Sequence, residues 1–348
     1  MVALRIGRYL DTIGRLWYNI GGVFYIGGKD AMPKKEGAGG KPQEYDADSG
    51  QYGDGTSSDT QKDKPGESEK SKTPKKKKLC VETPEATELY DAIKRGEYRD
   101  AEQLRRHPTV RELDEMAHAY TAQYGDTSKI QTPERQKQRK AWEREFLSQG
   151  AMRQTGTDAD GRPVYEPTGK VRREHKAVIA IGLPAAGKSS RIANPESARL
   201  GAFVFDSDEI KTRIPEYQET GGGAADAVHR ESQQVLASAL AHFLKGGDRN
   251  GDNLVIPVIG DNLGSTDTGR GLIGKWIAPL EAAGYDVEIQ FQDADPKASM
   301  NRCVARALDT GRIIPSDKLF GYGDKPRAVF EQLKTMTNAK GKPYVRKK

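Results

Sequence analysis

Cysteine is scarce in this chain of 348 residues. Only Cys80 and Cys303 occur, too far apart and too few for a disulfide framework or a cysteine-built metal site, and the simplest home for such a chain is a reducing cytoplasm. Long apolar runs are missing as well. The stretch 16–28 is broken by Gly21, Gly22, Gly27 and Gly28 and preceded by Arg5, Arg8, Asp11 and Arg15, so it offers no 18-residue uncharged span for a membrane helix and no clear signal-peptide cleavage site. It reads as a short amphipathic or partner-docking segment over 1–30. Apolar residues make up 35% of the chain against 30% charged, with a mean hydropathy of -0.78, too polar for a chain packed from end to end. A strong charge imbalance is also lacking. There are 56 basic and 50 acidic residues, and part of the excess of +6 sits in the run Lys75 to Lys78 and the tail Arg346 to Lys348. Such blocks are solvated segments before they are nucleic-acid readers, so no nucleic-acid partner is expected.

What is present falls into four stretches. After the first 30 residues, 31–82 is Gly, Lys, Ser, Asp, Pro and Glu with almost nothing to bury, and reads as a disordered linker. Thr83-Pro84-Glu85 is a helix start. From there Leu89 and Ile93, then Leu104, Val110, Leu113 and Met116 past a break at Pro108, keep helical spacing, and a charged helix follows from Pro133. This small helical region, 83–150, is at the lower limit for a core of its own. It is open to three roles: a built-in cover for a nucleotide cleft, a recruiting module, or part of a larger protein. A turn-rich link over 155–169 leads to a fourth stretch, 170–348. Here apolar strands at 177–181, 202–205, 254–259 and 287–291 alternate with helical segments, the pattern of an α/β fold with a parallel sheet and helices on both faces. Pro279 is expected to kink the helix over 269–283.

The first of those strands runs into Gly182-Leu-Pro-Ala-Ala-Gly187-Lys188-Ser189, which fits G-x-x-x-x-G-K-[ST] in its strand-to-helix setting and marks a P-loop NTPase-type domain. Glycines let consecutive amides cradle phosphate, Lys188 neutralises β and γ oxygens, and the hydroxyl of Ser189, with Ser190 beside it, sits where magnesium is held. The second strand ends in Asp206-Ser-Asp208, at the sheet edge where ligands of such folds lie. Either acid serves as a cap for the following helix or as the acceptor of a hydroxyl proton. Glu231 falls on the apolar stripe of a helix with Val228, Val235 and Ala239, and is either a substrate ligand or the border of that stripe. Arg302 and Arg306 share one side of a later helix, and Arg312 follows. These are phosphate clamps or a solvated face.

In this order, the loop, Asp206-Ser-Asp208-Glu-Ile-Lys211 with Pro215 and Tyr217, His229-Arg-Glu231-Ser232, Asn253 to Gly260, and Arg302, Arg306 and Thr310-Gly-Arg312 resemble the zeta toxin family over about 176–315. The resemblance implies a kinase using ATP and Mg2+ to phosphorylate a hydroxyl of a UDP-activated amino sugar such as UDP-N-acetylglucosamine, and a toxin held in check by a small helical antitoxin. It implies that Gly182, Gly187, Lys188, Ser189, Ser190 and Arg302 meet the nucleotide, with Ser189 on the metal. By the same resemblance Asp208 is the base, Asp206, Lys211 and Glu231 meet the acceptor, and Arg306 and Arg312 clamp phosphate beside Lys188. Where the family carries an acid in a Glu-Gly-Thr stretch after the third strand, this chain has Pro257-Val-Ile-Gly260, and its next acid is Asp261.

Overall fold

The computed structural model describes residues 80–338 and 340–346, and the backbone of three short strands nearer the N-terminus. Those strands are Tyr9–Leu10 (β1), Leu16–Ile20 (β2) and Val23–Gly27 (β3), and they form a small sheet in the order β1-β2-β3. They fall in the segment expected to be amphipathic. The expected linker lies outside the described residues, apart from Cys80 to Glu82.

From Cys80 onward the chain builds four helices before the phosphate loop. They are Pro84–Lys94 (α1), Ala101–Arg106 (α2), Pro108–Tyr124 (α3) and Pro133–Leu147 (α4). Thr83 and Thr132 cap α1 and α4 through hydroxyls that accept from Ala86 N at 3.1 Å and Arg135 N at 3.3 Å, each with a proline at the first turn. There the proline gives up no hydrogen bond. A hairpin follows, Ala151–Thr157 (β4) and Pro163–Gly169 (β5). The α/β part then runs Lys176–Ile181 (β6), Asn194–Leu200 (α5), Phe203–Val204 (β7), Ser207–Lys211 (α6), Pro215–Glu219 (α7), His229–Leu240 (α8), Leu254–Val258 (β8), Ala278–Ala282 (α9), Asp286–Phe291 (β9), Pro296–Thr310 (α10), Ser316–Tyr322 (α11) and Lys325–Leu333 (α12).

The six-stranded sheet has the order β5-β4-β7-β8-β6-β9. Strands β7, β8, β6 and β9 are parallel, as expected, and β4 joins them antiparallel through Ala151 opposite Phe203. The turn-rich link is therefore a hairpin that widens the sheet. Its strands are wet on both sides, so no apolar alternation marked them. Both faces of the parallel strands are covered. Ala177, Ile179 and Ile181 face the main core, while Val178 joins Leu200, Val204 and Val255 on the other side, which is why β6 reads as an unbroken apolar run.

The helical region has no core to itself. Leu89, Ile93, Leu104, Val110 and Leu113 pack with Val304, Leu308 and Ile313 on and just after α10. Helix α4 enters the main core, with Phe146 fully buried and edge-on to Phe203 at a centroid distance of 5.0 Å. Pro279 does what its ring dictates. It has no N–H for the carbonyl of Lys275, and the turn before it, Ile273–Ile277, widens to π geometry, with Ala278 N–H reaching back to Ile273.

Candidate active site

Strand β6 delivers the chain into the phosphate loop at the centre of the sheet. Gly182 and Gly187 have φ of 153° and 92°, and a Cβ on Gly182 would lie 2.7 Å from the carbonyl oxygen of Gln292, so no side chain fits there. Ala185 also adopts the left-handed region, at φ 52°, a strain of the kind kept at ligand sites. The Nζ of Lys188 is folded onto the carbonyls of Gly182 and Leu183 at 2.7 and 2.8 Å. Burial pushes its ammonium down to about 8 against the opposing pull of Asp206 and Asp208. Ser189 and Ser190 line the cavity in front of the loop, and Ser190 Oγ donates to Gly187 O at 3.3 Å. Helix α10 holds the loop from the side. Ser299 donates to the carbonyl of Pro184, and Arg302 Nε donates to that of Ala185 at 3.0 Å. Arg302, expected on the nucleotide, is thus a brace for the loop and does not line the cavity.

At the end of β7 Asp206 takes the capping role, and Asp208 turns to two cations. Asp206 Oδ1 accepts from Asp208 N at 2.9 Å and caps α6. Burial, then the neighbouring Asp208, pushes its carboxyl up to about 7. Asp208 accepts from Arg312 and from Lys211 Nζ, the latter at 3.2 Å. Burial would raise it, but these two cations prevail and hold it far below the usual carboxylate range. Arg306 stands nearby, its charge disfavoured by burial and then by Arg312. The Nε atoms of Arg306 and Arg312 are buried with no hydrogen-bond partner among the described residues. A buried guanidinium donor left open is costly, and an anion delivered to this point would satisfy it.

The cavity that joins these groups measures about 970 Å³, room for two small substrates. Helix α8 presents His229, Gln233 and Leu236 to it. These lie at i, i+4 and i+7 and so on one face. Burial first, then Lys211, pushes the His229 imidazole down to about 4. Glu231 lies two positions from His229, on another side of the helix. It is buried as its place on the stripe implied, but its carboxylate meets Arg135 of α4, which donates from Nε at 2.9 Å and from Nη2 at 2.8 Å. The same guanidinium holds Glu216 at 2.7 Å and stacks over Trp142 at 4.8 Å. The expected acceptor ligand Glu231 is therefore not brought to the cavity. His229, Gln233, Lys275 and the ion pair Asp226–Lys318 are there instead. Of these, only the helical spacing of His229, Gln233 and Leu236 was available as a signal. No residue of α1 to α4 lines the cavity, so the helical region does not cover it.

No curated protein matches the chain. Among solved structures, it is similar at 17% identity and a TM-score of 0.38 to a chain from a study of the PezAT chromosomal toxin-antitoxin system of Streptococcus pneumoniae, over 58% of this chain and 76% of that one. The family model described as Zeta toxin matches residues 166–348, the stretch that holds the phosphate loop, Asp208 and the three arginines, and with it the chain belongs to the zeta toxin family.

Proposed function

We propose that this chain is an ATP-dependent kinase that transfers the γ-phosphate to a hydroxyl of a UDP-activated amino sugar, UDP-N-acetylglucosamine in the first instance, and acts as the toxin of a toxin-antitoxin pair in the cytoplasm, with a helical antitoxin as partner. The observation that carries the reading is the convergence, in one cavity, of a phosphate loop, an ionised Asp208 and two arginines whose buried Nε atoms lack partners among the described residues. Nucleotide binding alone requires neither the acid nor the arginines.

Lys188 would turn from the loop carbonyls to the β and γ oxygens of ATP, and the loop amides would hold the same phosphates. Among the described residues no group of three or more His, Cys, Asp or Glu could hold a metal. The Ser189 hydroxyl, which lines the cavity beside the phosphate loop, would hold a magnesium ion together with the nucleotide, and the ion would supply positive charge against the transferring phosphate. Arg306 and Arg312 would take the charge gathering on the equatorial oxygens of the transferred group. Asp208 would orient the acceptor hydroxyl and accept its proton. So acidic a carboxylate suffices where the transition state is loose and the proton leaves late. Asp206 and Lys211 complete the acceptor side.

Purified full-length protein incubated with ATP, magnesium and UDP-N-acetylglucosamine should release ADP only when the sugar nucleotide is present and yield a product heavier by one phosphoryl group. Lys188→Ala should abolish this, and Asp208→Asn should slow it by about 10²- to 10⁴-fold. Acceptor-independent ADP release, or full activity of Asp208→Asn, would overturn the assignment. Mass spectrometry of a metabolite extract treated in parallel would name another acceptor if UDP-N-acetylglucosamine is not used.

A further inference from the structure

Arg306 rides on helix α10, but Arg312 does not. It follows Gly311, whose left-handed conformation ends that helix, and it lies in the run 311–315, which forms neither helix nor strand. Its guanidinium is aimed only as well as this backbone is held. One restraint is a close approach to the glycine run Gly221–Gly223. A Cβ on Gly311 would stand 2.5 Å from the carbonyl oxygen of Gly221, and one on Gly222 would stand 3.3 Å from Cα of Arg312, so the two backbones meet with no side chain between them. A second restraint lies just past the run. Asp114 of α3 accepts from Ser316 N at 2.8 Å and from Ser316 Oγ at 2.6 Å. Between these points Ile313 is buried in the apolar cluster of the helical region.

Both restraints lead back to α3. Its Tyr120 packs on the glycine run so closely that a Cβ on Gly223 would fall 2.4 Å from Cε2 of the ring. One helix therefore touches the run that bears Arg312 through Asp114, and the run that backs it through Tyr120. The two contacts differ in kind. Tyr120 limits movement of the glycines by bulk alone, whereas a carboxylate that accepts from two donors fixes Ser316 in distance and angle. Hydrogen bonds to an ionised acceptor are also about twice as strong as neutral ones. Asp226, soon after the glycines, pairs with Lys318, but that lysine side chain is 46% exposed and the pair is a weak tie. The restraint has a load to bear, because Arg306 and Arg312 repel each other. It also comes from outside the kinase domain proper, since α3 lies wholly before the residues that the family model matches.

We propose that Asp114, seconded by Tyr120, is a positioning residue for Arg312: through Ser316 it fixes the backbone that aims this guanidinium at Asp208 and the transferred phosphate. Neither residue of α3 touches a substrate, and both act through the run 311–316. The inference deepens the kinase reading above and rests on it for the word phosphate. The placement of Arg312 itself can be observed without any phosphoryl transfer.

The test takes two readouts from the full-length protein. The first is the proton–nitrogen correlation signal of the arginine Nε–H groups, that of Arg312 being assigned by its loss in Arg312→Lys. In the wild type its Nε is buried and its guanidinium is paired with Asp208, so the signal should be dispersed and slow to exchange with water. Asp114→Ala should speed that exchange by about tenfold or more, as loss of a charge-assisted restraint does, and should leave the Arg135 signal, held by Glu231, unchanged. Tyr120→Ala should act in the same direction by less. Asp114→Asn, which still accepts from Ser316 N, should restore most of the protection. The second readout is turnover with ATP and UDP-N-acetylglucosamine. Asp114→Ala should lower kcat by about tenfold at nearly unchanged KM for both substrates, and should have no further effect in an Arg312→Met background. An unchanged Arg312 signal in Asp114→Ala, or losses in kcat that multiply in the double variant, overturns the assignment. Should Asp114→Ala fail to fold, Ser316→Ala removes one of the two bonds and should give the same changes at smaller amplitude, and an unchanged Arg312 signal there overturns the assignment equally. An Arg312 signal that depends on Asp114 in a protein that phosphorylates no UDP-amino sugar upholds the positioning and overturns that choice of acceptor instead.

Discussion

Replacing Arg135 with methionine removes the one guanidinium that satisfies both Glu231 and Glu216. The side chains of Arg135 and Glu231 are 13% and 4% exposed, and that of Glu216 is 22% exposed. Glu231 has too little access to water to recover its hydration, and an ion left alone in such a place costs about 3 to 5 kcal/mol. Glu216 reaches water and should add little, so the lower end, about 3 kcal/mol, is expected. For a domain of this size each kcal/mol shifts the melting temperature by about 2–4 °C, which gives a fall of about 6 to 12 °C. Loss of the stacked contact with Trp142 acts in the same direction. Glu231→Gln keeps shape and hydrogen bonding and leaves Arg135 with Glu216, so it should cost less. In the double variant the buried charge is gone, and the two losses should sum to more than the loss observed. The assay is thermal denaturation of the four proteins alongside the KM for the acceptor. Should Glu231→Gln melt like the wild type and raise the acceptor KM, the carboxylate would be a substrate ligand, and the argument that Arg135 claims it would be refuted.

Three further predictions concern the core and pH. Phe146→Ala should cost about 3–5 kcal/mol by cavity formation, and a fragment starting at residue 166 should fail to melt cooperatively, because it lacks Phe146, Trp142 and the α1–α3 surface that covers α10. A cooperative fragment would refute the shared core. For Asp206, whose carboxyl is raised to about 7 by burial and then by Asp208, the charged form is the disfavoured one in the fold. Its stabilising contribution is full below the unfolded value near 3.9 and is lost as pH rises through about 7. Asp206→Asn, which still caps α6, should therefore gain on the wild type between pH 6 and pH 8 in thermal melts. Lys188, which burial holds down to about 8 against the pull of Asp206, would titrate lower in the variant, so the gain is read at the acid end of that window, from pH 6 to pH 7, where a constant difference would refute the sign.

Much of the site could be read from the sequence because its parts are local. A phosphate loop needs its glycines, lysine and serine within eight residues, and Asp206 and Asp208 stand two apart at a strand end. The burial of Glu231 was legible from its helical stripe. Its partner was not, since Arg135 lies 96 residues upstream in a helix of low amphipathicity whose charges look uniformly solvated. The hairpin β4–β5 was hidden for a different reason. Both its faces meet water, so the period-2 signal of a strand had nothing to act on, although Asp158 and Gly161 mark its turn, with Asp158 accepting from the amides of Asp160 and Arg162.

The helical region contributes to the chemistry through α10 without touching the cavity. That helix puts Val304, Ala305, Ala307 and Leu308 against α1–α3, Ser299 and Arg302 against the phosphate loop, and Arg306 against the cavity. Just beyond it, Asp114 of α3 accepts from Ser316 N at 2.8 Å and from Ser316 Oγ at 2.6 Å. These bonds fix the end of the segment that carries Arg312. Arg306 and Arg312 are both half-buried and repel each other, so left to itself this end of the domain would relax by moving them apart and into water. Burying the opposite side of α10 under three helices opposes that relaxation, since each large apolar side chain covered there contributes about 1.5–3 kcal/mol. Helices α1–α3 are therefore best understood as a scaffold that holds two like charges close together beside the phosphate loop.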